Sequence, residues 1–197
     1  VHTVFVPKRT GAAVTFKAGR DLWMHEAMAI ERPHCPAESM DSEDLLFLLG
    51  IYVAEGSVSD RGGIRFAIGN GNALRVPELQ QRLARVFGQS SAIYSNRAGV
   101  SDLKFVHRVA ALAWQRLFGF RGADSLTKRI PDLVFNLPET LRLAFLRGYL
   151  LGDGTVARGR IGFATSSYDL ASGLMYLLSS LGVVGTLSEH EPDGIAR

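Results

Sequence analysis

Phe47-Leu-Leu-Gly-Ile-Tyr-Val-Ala-Glu-Gly-Ser-Val-Ser59 recurs later in this chain, in altered form, as Phe145-Leu-Arg-Gly-Tyr-Leu-Leu-Gly-Asp-Gly-Thr-Val-Ala157. In both runs a glycine stands five residues before an acidic residue, a second glycine follows the acid, and a hydroxyl residue and a valine come next. The similarity continues downstream, where Ile64-Arg-Phe-Ala67 resembles Ile161-Gly-Phe-Ala164. A repeat that keeps the same order along the chain indicates an internal duplication.

Each repeat begins with an apolar stretch that predicts a buried helix. The helices end at Gly56 and Gly154, where we expect the left-handed backbone conformation that favours glycine. In the first repeat, further segments predict strands at 57–59, 64–68, 91–95 and 101–106 and helices at 74–87 and 108–118. The first unit is therefore predicted to be αββαββα.

The second repeat starts in the same way but has fewer residues for the rest of a unit. We expect its second hairpin and closing helix to be missing. The sequence thus predicts an α+β protein of two pseudo-symmetric αββαββα halves, the second truncated. The predicted organisation is an N-terminal segment at 1–40, a first half at 41–137 and an incomplete second half at 138–197.

An acidic residue stands at the predicted C-terminus of both apolar helices, Glu55 in the first and Asp153 in the second. This end of a helix carries partial negative charge, so an acid there is disfavoured unless a cation compensates it. Carboxylates, backbone carbonyls and water are the ligands that Mg²⁺ prefers. We therefore expect Glu55 and Asp153, with the carbonyls of Gly56 and Gly154, to bind Mg²⁺ or Mn²⁺. One acid–glycine pair would indicate only a solvated helix end, but two matched copies favour chemistry.

Small residues four positions apart line one side of each helix: Gly50 and Ala54 in the first, Gly148 and Gly152 in the second. Such strips let two helix backbones approach closely. If the helices pack in parallel about a pseudo-twofold axis, Glu55 and Asp153 emerge side by side. Two carboxylates that hold two metal ions can hydrolyse a phosphodiester, because one ion activates water while the other stabilises the leaving oxygen.

Positive charge is concentrated in the middle of the chain. The net charge is only +3, but residues 61–130 contain 12 Lys and Arg against three acids. This bias indicates a nucleic-acid partner or, alternatively, a merely basic surface. The single cysteine, Cys35, excludes an internal disulfide framework and fits a reducing, cytoplasmic location. No apolar run is long enough to span a membrane.

The two repeats also resemble a known family. Leu48-Leu-Gly-Ile-Tyr-Val-Ala-Glu-Gly56 and Leu146-Arg-Gly-Tyr-Leu-Leu-Gly-Asp-Gly154 resemble the paired motifs of LAGLIDADG, or dodecapeptide (DOD-type), homing endonucleases. Lys128-Arg-Ile-Pro131 is similar to the run into the second motif of the intein-encoded members. Val4-Phe-Val-Pro-Lys-Arg9 is similar to the end of a first intein splicing segment, although no splicing nucleophile opens this chain.

The resemblance implies a function as well as a fold. The motif helices should pack at the centre, and two antiparallel sheets should form a saddle on duplex DNA. A monomer should cleave both strands at a long site, with Glu55 and Asp153 as metal ligands. Glu55 departs from the aspartate of the motif but keeps the charge. The short second unit is a larger departure from the family pattern.

On such a saddle, alternate strand residues face DNA. Lys104 is the predicted basic residue near the scissile phosphate, whereas Lys128 and Arg129 are expected to contact the DNA backbone or the linker. The other predicted DNA-binding residues are Arg61, Arg65, Asn70, Arg97, Arg158 and Arg160.

The sequence therefore predicts a site-specific, metal-dependent endonuclease for double-stranded DNA, most simply the endonuclease domain of an intein. Two alternatives remain open. One is a DNA-binding protein or RNA maturase of the same fold that does not cut. The other is an intein fragment whose relevant activity is protein splicing.

Overall fold

The computed structural model describes the backbone of residues 2–4 and 14–16, together with 43–58, 62–95, 101–157 and 160–189. Strands β1 (His2–Val4) and β2 (Val14–Phe16) pair antiparallel. The remaining elements are, in chain order, α1 (Glu43–Glu55), β3 (Gly56–Val58), β4 (Ile64–Ile68), α2 (Val76–Phe87), β5 (Ala92–Ser95), β6 (Ser101–Phe105), α3 (Arg108–Leu117), α4 (Glu139–Asp153), β7 (Gly154–Ala157), β8 (Arg160–Phe163) and α5 (Tyr168–Ser180). Short 3-10 turns at Asn70–Arg75 and Asp132–Asn136 precede α2 and α4.

Helices α1 and α4 form the centre of the fold and make the most extensive contact between any two described elements. Nine consecutive residues of α1, 46–54, are buried, since this helix is covered on all sides. At Gly50 an added Cβ would overlap the carbonyl oxygen of Phe145, and at Gly148 it would overlap the carbonyl oxygen of Phe47. The two contacts are reciprocal, so the helices cross about a pseudo-twofold axis.

The first half contains a four-stranded antiparallel sheet in the order β3-β4-β6-β5. On β4, Ile64, Phe66 and Ile68 are buried against the core, whereas Arg65 and Ala67 face the opposite side. Arg65 lies opposite Lys104 of β6. The polar face of the sheet is therefore directed away from the helices, as a DNA-binding saddle requires.

The described part of the second half contains one hairpin, β7–β8, followed by α5. Gly154 pairs with Phe163 as Gly56 pairs with Phe66, so the duplication extends to the strand register. The two halves differ in burial. Ile161 is 64% exposed, whereas its counterpart Ile64 is fully buried and lies opposite Phe105 of β6.

Two local expectations were wrong. Gly154 is extended (φ −79°, ψ 143°), and Gly56 does not have positive φ either. Each is required for space instead, because an added Cβ would overlap the ring of Tyr52 at Gly56 and the carbonyl of Leu150 at Gly154. Within the described residues, no helix combines the length and the apolar character that crossing a membrane needs.

Candidate metal centre

Glu55 and Asp153, the last residues of α1 and α4, lie at the same end of the helix pair. The small residues before them set this arrangement. A Cβ added at Gly152 would lie 2.5 Å from Ala54 Cβ and 3.1 Å from Glu55 Cγ. The close crossing that begins at Gly50 and Gly148 therefore continues to the helix ends and brings the two acidic side chains together.

The pKa values of both carboxylates are raised, with burial as the main cause in each. Burial raises the pKa of Glu55, and the charge of Asp153 raises it further, while the charge of Lys128 opposes the shift. Burial also raises the pKa of Asp153, against the effects of Lys128 and the Tyr149 hydroxyl. Each raised pKa means that the site holds its negative charge at a cost, which a bound cation would relieve.

Lys128 is the basic residue that the fold places at this centre. Its Nζ donates a hydrogen bond of 2.8 Å to the carbonyl oxygen of Ala54, one residue before Glu55. Burial lowers the pKa of Lys128, while Asp153 and Glu55 raise it. The side chain also borders a cavity of about 390 Å³ that Tyr52 and Gly56 help to line.

The sequence interpretation assigned Lys128 to the DNA backbone or the linker and did not find this position. One signal was available. Of the 12 basic residues at 61–130, only Lys104 and Lys128 are lysines. A lysine is a compact point charge, whereas an arginine is a planar fork suited to paired acceptors. Two lysines in an arginine-rich region therefore indicate a role that differs from that of the arginines.

A tightly hydrogen-bonded turn precedes Lys128. The Asp124 carboxylate accepts hydrogen bonds from the backbone N–H groups of Leu126 and Thr127 and from the Thr127 hydroxyl. These bonds lower the pKa of Asp124. The N–H of Lys128 donates to the Asp124 carbonyl at 2.9 Å, so the turn fixes the backbone from which the lysine extends.

Tyr149 distinguishes the two acids. Its ring is fully buried, its hydroxyl makes no well-formed hydrogen bond to any described group, and burial and the nearby Asp153 carboxylate raise its pKa. The residue at the same position of α1 is Ile51. Asp153 therefore has a phenol beside it that Glu55 lacks, and the pseudo-twofold symmetry is broken at the centre itself.

The residues present fit a divalent metal of the Mg²⁺ type. Such an ion is commonly held by one or two carboxylates and takes its other ligands from water and substrate phosphate. No group of three or more His, Cys, Asp and Glu side chains is gathered anywhere in the described ranges, so a site built wholly from side chains is not seen there.

The predicted DNA-binding residues are found in several places. Arg65 and Lys104 share the polar face of the first sheet, where Arg65 donates a 2.8 Å hydrogen bond to the largely buried Asp102. Arg160 is exposed at the start of β8, and Arg129 lies beside Gly119. Asn70 begins a 3-10 turn. Arg61, Arg97 and Arg158 lie outside the described residues.

Asn72, which the sequence interpretation did not select, joins the two halves. Its amide donates a 2.7 Å hydrogen bond to the carbonyl oxygen of Leu151, in the last turn of α4. Lys128 makes the corresponding bond to the end of α1. Both helices thus have one C-terminal carbonyl satisfied by a side chain from another element.

Comparisons with known proteins support the fold. Residues 140–196 match the family described as a LAGLIDADG-like domain. A DNA polymerase of Thermococcus hydrothermalis is 30% identical over 162 residues, which cover 79% of this chain and 9% of the polymerase. A component of the A-type ATP synthase of Methanopyrus kandleri is 29% identical over 150 residues, with coverage of 76% and 14%.

A shorter match is closer in sequence. An acetyl-coenzyme A synthetase of Desulfatibacillum aliphaticivorans is 61% identical over 49 residues, which cover 25% of this chain and 8% of the synthetase. The chain therefore spans only a small part of each of these curated relatives.

Two solved structures share the architecture. I-DmoI in complex with DNA and Mn superposes with a TM-score of 0.56 at 14% identity, over 76% of this chain and 84% of that one. The N-terminal LAGLIDADG domain of DUF199/WhiA gives a TM-score of 0.50 at 15% identity, over 84% and 78%. At these identities the likeness establishes the fold, and it confirms the predicted α+β class.

Proposed function

Because this chain belongs to the LAGLIDADG proteins by its fold and by the family match over residues 140–196, we propose that it is a site-specific endonuclease for double-stranded DNA. The observation that carries this proposal is the meeting of Glu55, Asp153 and Lys128 at one end of α1 and α4. Two carboxylates and one ammonium leave the centre with net negative charge. The C-terminal ends of two helices add to it, and divalent cations are attracted to such a place.

In the proposed reaction, Glu55 and Asp153 would hold divalent metal, with the carbonyls of Gly56 and Gly154 as further ligands. Such a metal would supply an activated water and stabilise the leaving oxygen. Lys128 holds its ammonium beside the carboxylates and stabilises the charge that develops on the phosphate. This assignment replaces Lys104, which lies on β6 opposite Arg65 and is better placed to contact the DNA backbone.

The DNA is proposed to lie across the polar faces of the two sheets. Arg65 and Lys104 supply positive charge on the first sheet, and Arg160 supplies it on the second. Arg61, Asn70, Arg97, Arg129 and Arg158 are proposed to extend this surface. The pseudo-twofold axis suits a monomer that presents one half to each half-site.

The target sequence can be found by selection from a random duplex library. A plasmid that carries this target is then incubated with the protein and Mg²⁺ or Mn²⁺. Nicking and linearisation of the plasmid measure cleavage of one strand and of both strands. Wild type should cut in a metal-dependent manner. Glu55→Gln should bind the same DNA with similar affinity but leave it intact. Binding without cutting by wild type would instead support the non-cleaving alternative, and equal cutting by Glu55→Gln would remove that residue from the mechanism.

The similar proteins also suggest which kind of host protein contains this domain. The polymerase and ATP synthase matches cover about three quarters of the chain and the synthetase match about one quarter. The repeats and the family match lie beyond residue 46. We therefore propose that residues 1–40 are the larger part of a synthetase-like host segment, which at 49 matched residues extends beyond them, and that the endonuclease halves occupy 41–137 and 138–197.

Similar segments within a polymerase and an ATP synthase component suit a mobile element such as an intein domain. The flanking reading frame tests the two accounts of residues 1–40. Synthetase sequence directly upstream supports the host segment. A splicing segment with a leading Cys or Ser supports the intein remnant instead.

A further inference from the structure

Ser167 is almost completely buried, with 1% of its surface exposed, and it lies at the junction between β8 and α5. Its hydroxyl makes two hydrogen bonds. It accepts one from the N–H of Leu170 at 3.2 Å, which caps α5, and it donates one of 2.5 Å to the main-chain carbonyl of Lys128. A helix cap needs only the first bond. The second reaches 39 positions back along the chain.

The neighbouring contacts lead to the same loop. The hydroxyl of Ser166 donates to the carbonyl of Ser125 at 3.1 Å. Ile130, two residues after Lys128, is buried and lies next to Gly173 of α5, where an added Cβ would be 3.5 Å from its side chain. The N-terminal turn of α5 therefore holds the loop at 125–130 from one side, while the Nζ of Lys128 is bonded to the end of α1 on the other.

We propose that Ser167 is a positioning residue for Lys128: it fixes the lysine backbone so that the ammonium reaches the carboxylate pair. The proposal rests on the proposed function for its catalytic consequence, but the geometry can be tested without activity. Through this bond, a residue of the second half sets the position of a charge beside Glu55 in the first half.

The first test measures the loop directly with an endoproteinase that cuts after lysine, because the bond cleaved after Lys128 contains the carbonyl that Ser167 holds. Ser167→Gly is the informative variant, since glycine keeps most of the capping preference while it removes the hydroxyl. Cleavage after Lys128 should accelerate about fivefold, the local opening expected from one lost hydrogen bond. Cleavage after Lys104 serves as the internal reference.

Ser167→Thr should restore protection, because it keeps the hydroxyl, and Ser172→Ala, on the same helix, should behave as wild type. Circular dichroism establishes that each variant is folded. Ser167→Ala provides a second removal of the hydroxyl if the glycine variant is unfolded. Unchanged protection of Lys128 in a folded variant that lacks the hydroxyl overturns the proposal.

The second test is a double-mutant cycle on the single-turnover cutting rate at saturating DNA. Ser167→Gly should slow wild type about tenfold or more without changing DNA affinity, and should have no further effect in a Lys128→Met background. Equal loss in both backgrounds would mean that Ser167 does not act through Lys128. If wild type does not cut at all, the proposed function fails, and the proteolysis still decides whether Ser167 holds the loop.

Discussion

Gly50 of α1 lies directly against the main-chain carbonyl of Phe145 in α4, with no room for a side chain between them. The symmetric contact between Gly148 and Phe47 doubles this constraint. Two helices approach most closely when their backbones are in direct contact. This close approach allows the acidic residues at the two helix ends to share one site.

We expect Gly50→Ala to destabilise the fold by about 3 kcal/mol, because the added methyl group must push the helices apart. Urea unfolding measures the loss. Gly69→Ala is the matched control, since Gly69 has no atom within 4 Å of an added Cβ and has an ordinary φ of −65°. A Gly50→Ala variant as stable as this control would show that the helices do not cross as described.

The sequence was sufficient to predict this part of the molecule because the information is local and repeated. Glycine spacing along one helix reports on one face, and the second copy at 145–157 shows which face meets its partner. Lys128 could not be placed in that way. It lies 25 positions before Asp153 and 73 after Glu55, and its position depends on a turn at Asp124 and a hydrogen bond from Ser167.

The backbone conformation at the helix ends was also predicted wrongly. A glycine after a helix commonly adopts positive φ, but β3 and β7 begin immediately at Gly56 and Gly154. The chain must be extended there to enter the hairpins. The space left by the preceding helical turn, at Tyr52 and Leu150, and not the φ of each glycine, excludes a larger residue.

The half-buried acid pair predicts an inverted pH dependence of stability without metal. Burial and Asp153 raise the pKa of Glu55 above its ordinary value of 4.5, so the folded state binds a proton more tightly than the unfolded state. Stabilisation from this group is complete below that value and is lost as pH rises through the raised pKa.

Thermal melts in EDTA measure this effect. The melting temperature of Glu55→Gln should exceed that of wild type at neutral pH, and the difference should vanish in acid. A variant less stable than wild type at neutral pH would contradict the pKa shift.

Metal should reverse this ranking. Saturating Mg²⁺ at neutral pH binds the folded state and should raise the melting temperature of wild type, by an amount that grows with the logarithm of concentration. Glu55→Gln and Asp153→Asn should each respond weakly, because each retains one carboxylate. Differential scanning fluorimetry with a Mg²⁺ series measures the effect, and the same ionic strength of NaCl controls for screening. An equal response of all three proteins would place the metal elsewhere.

Lys128→Met should lower the cutting rate about 100-fold or more while it leaves DNA affinity within a factor of about three, since the lost charge acts on the developing phosphate charge. Lys104→Met provides the comparison. It should weaken DNA binding and flatten its salt dependence, with little effect on the rate at saturating DNA. Filter binding and single-turnover cutting separate the two effects. The opposite pattern would restore Lys104 as the residue nearest the scissile phosphate.

The two isoleucines related by the duplication provide a test of the second half. Ile64 is fully buried beneath a sheet that continues into β6, whereas Ile161 is 64% exposed on a hairpin of two strands. Ile64→Thr leaves a cavity and buries a hydroxyl, and it should cost about 2–4 kcal/mol. Ile161→Thr exposes no new apolar surface and should change the free energy of unfolding by less than about 0.5 kcal/mol.

Urea unfolding of both variants at several protein concentrations measures this difference. A large, concentration-dependent loss for Ile161→Thr would mean that a second copy of the chain covers this hairpin, and a large loss independent of concentration would mean that another part of the same chain does. In either case the face of the hairpin that carries Ile161 would be covered, while Arg160, the preceding residue of the strand, would stay on the opposite face.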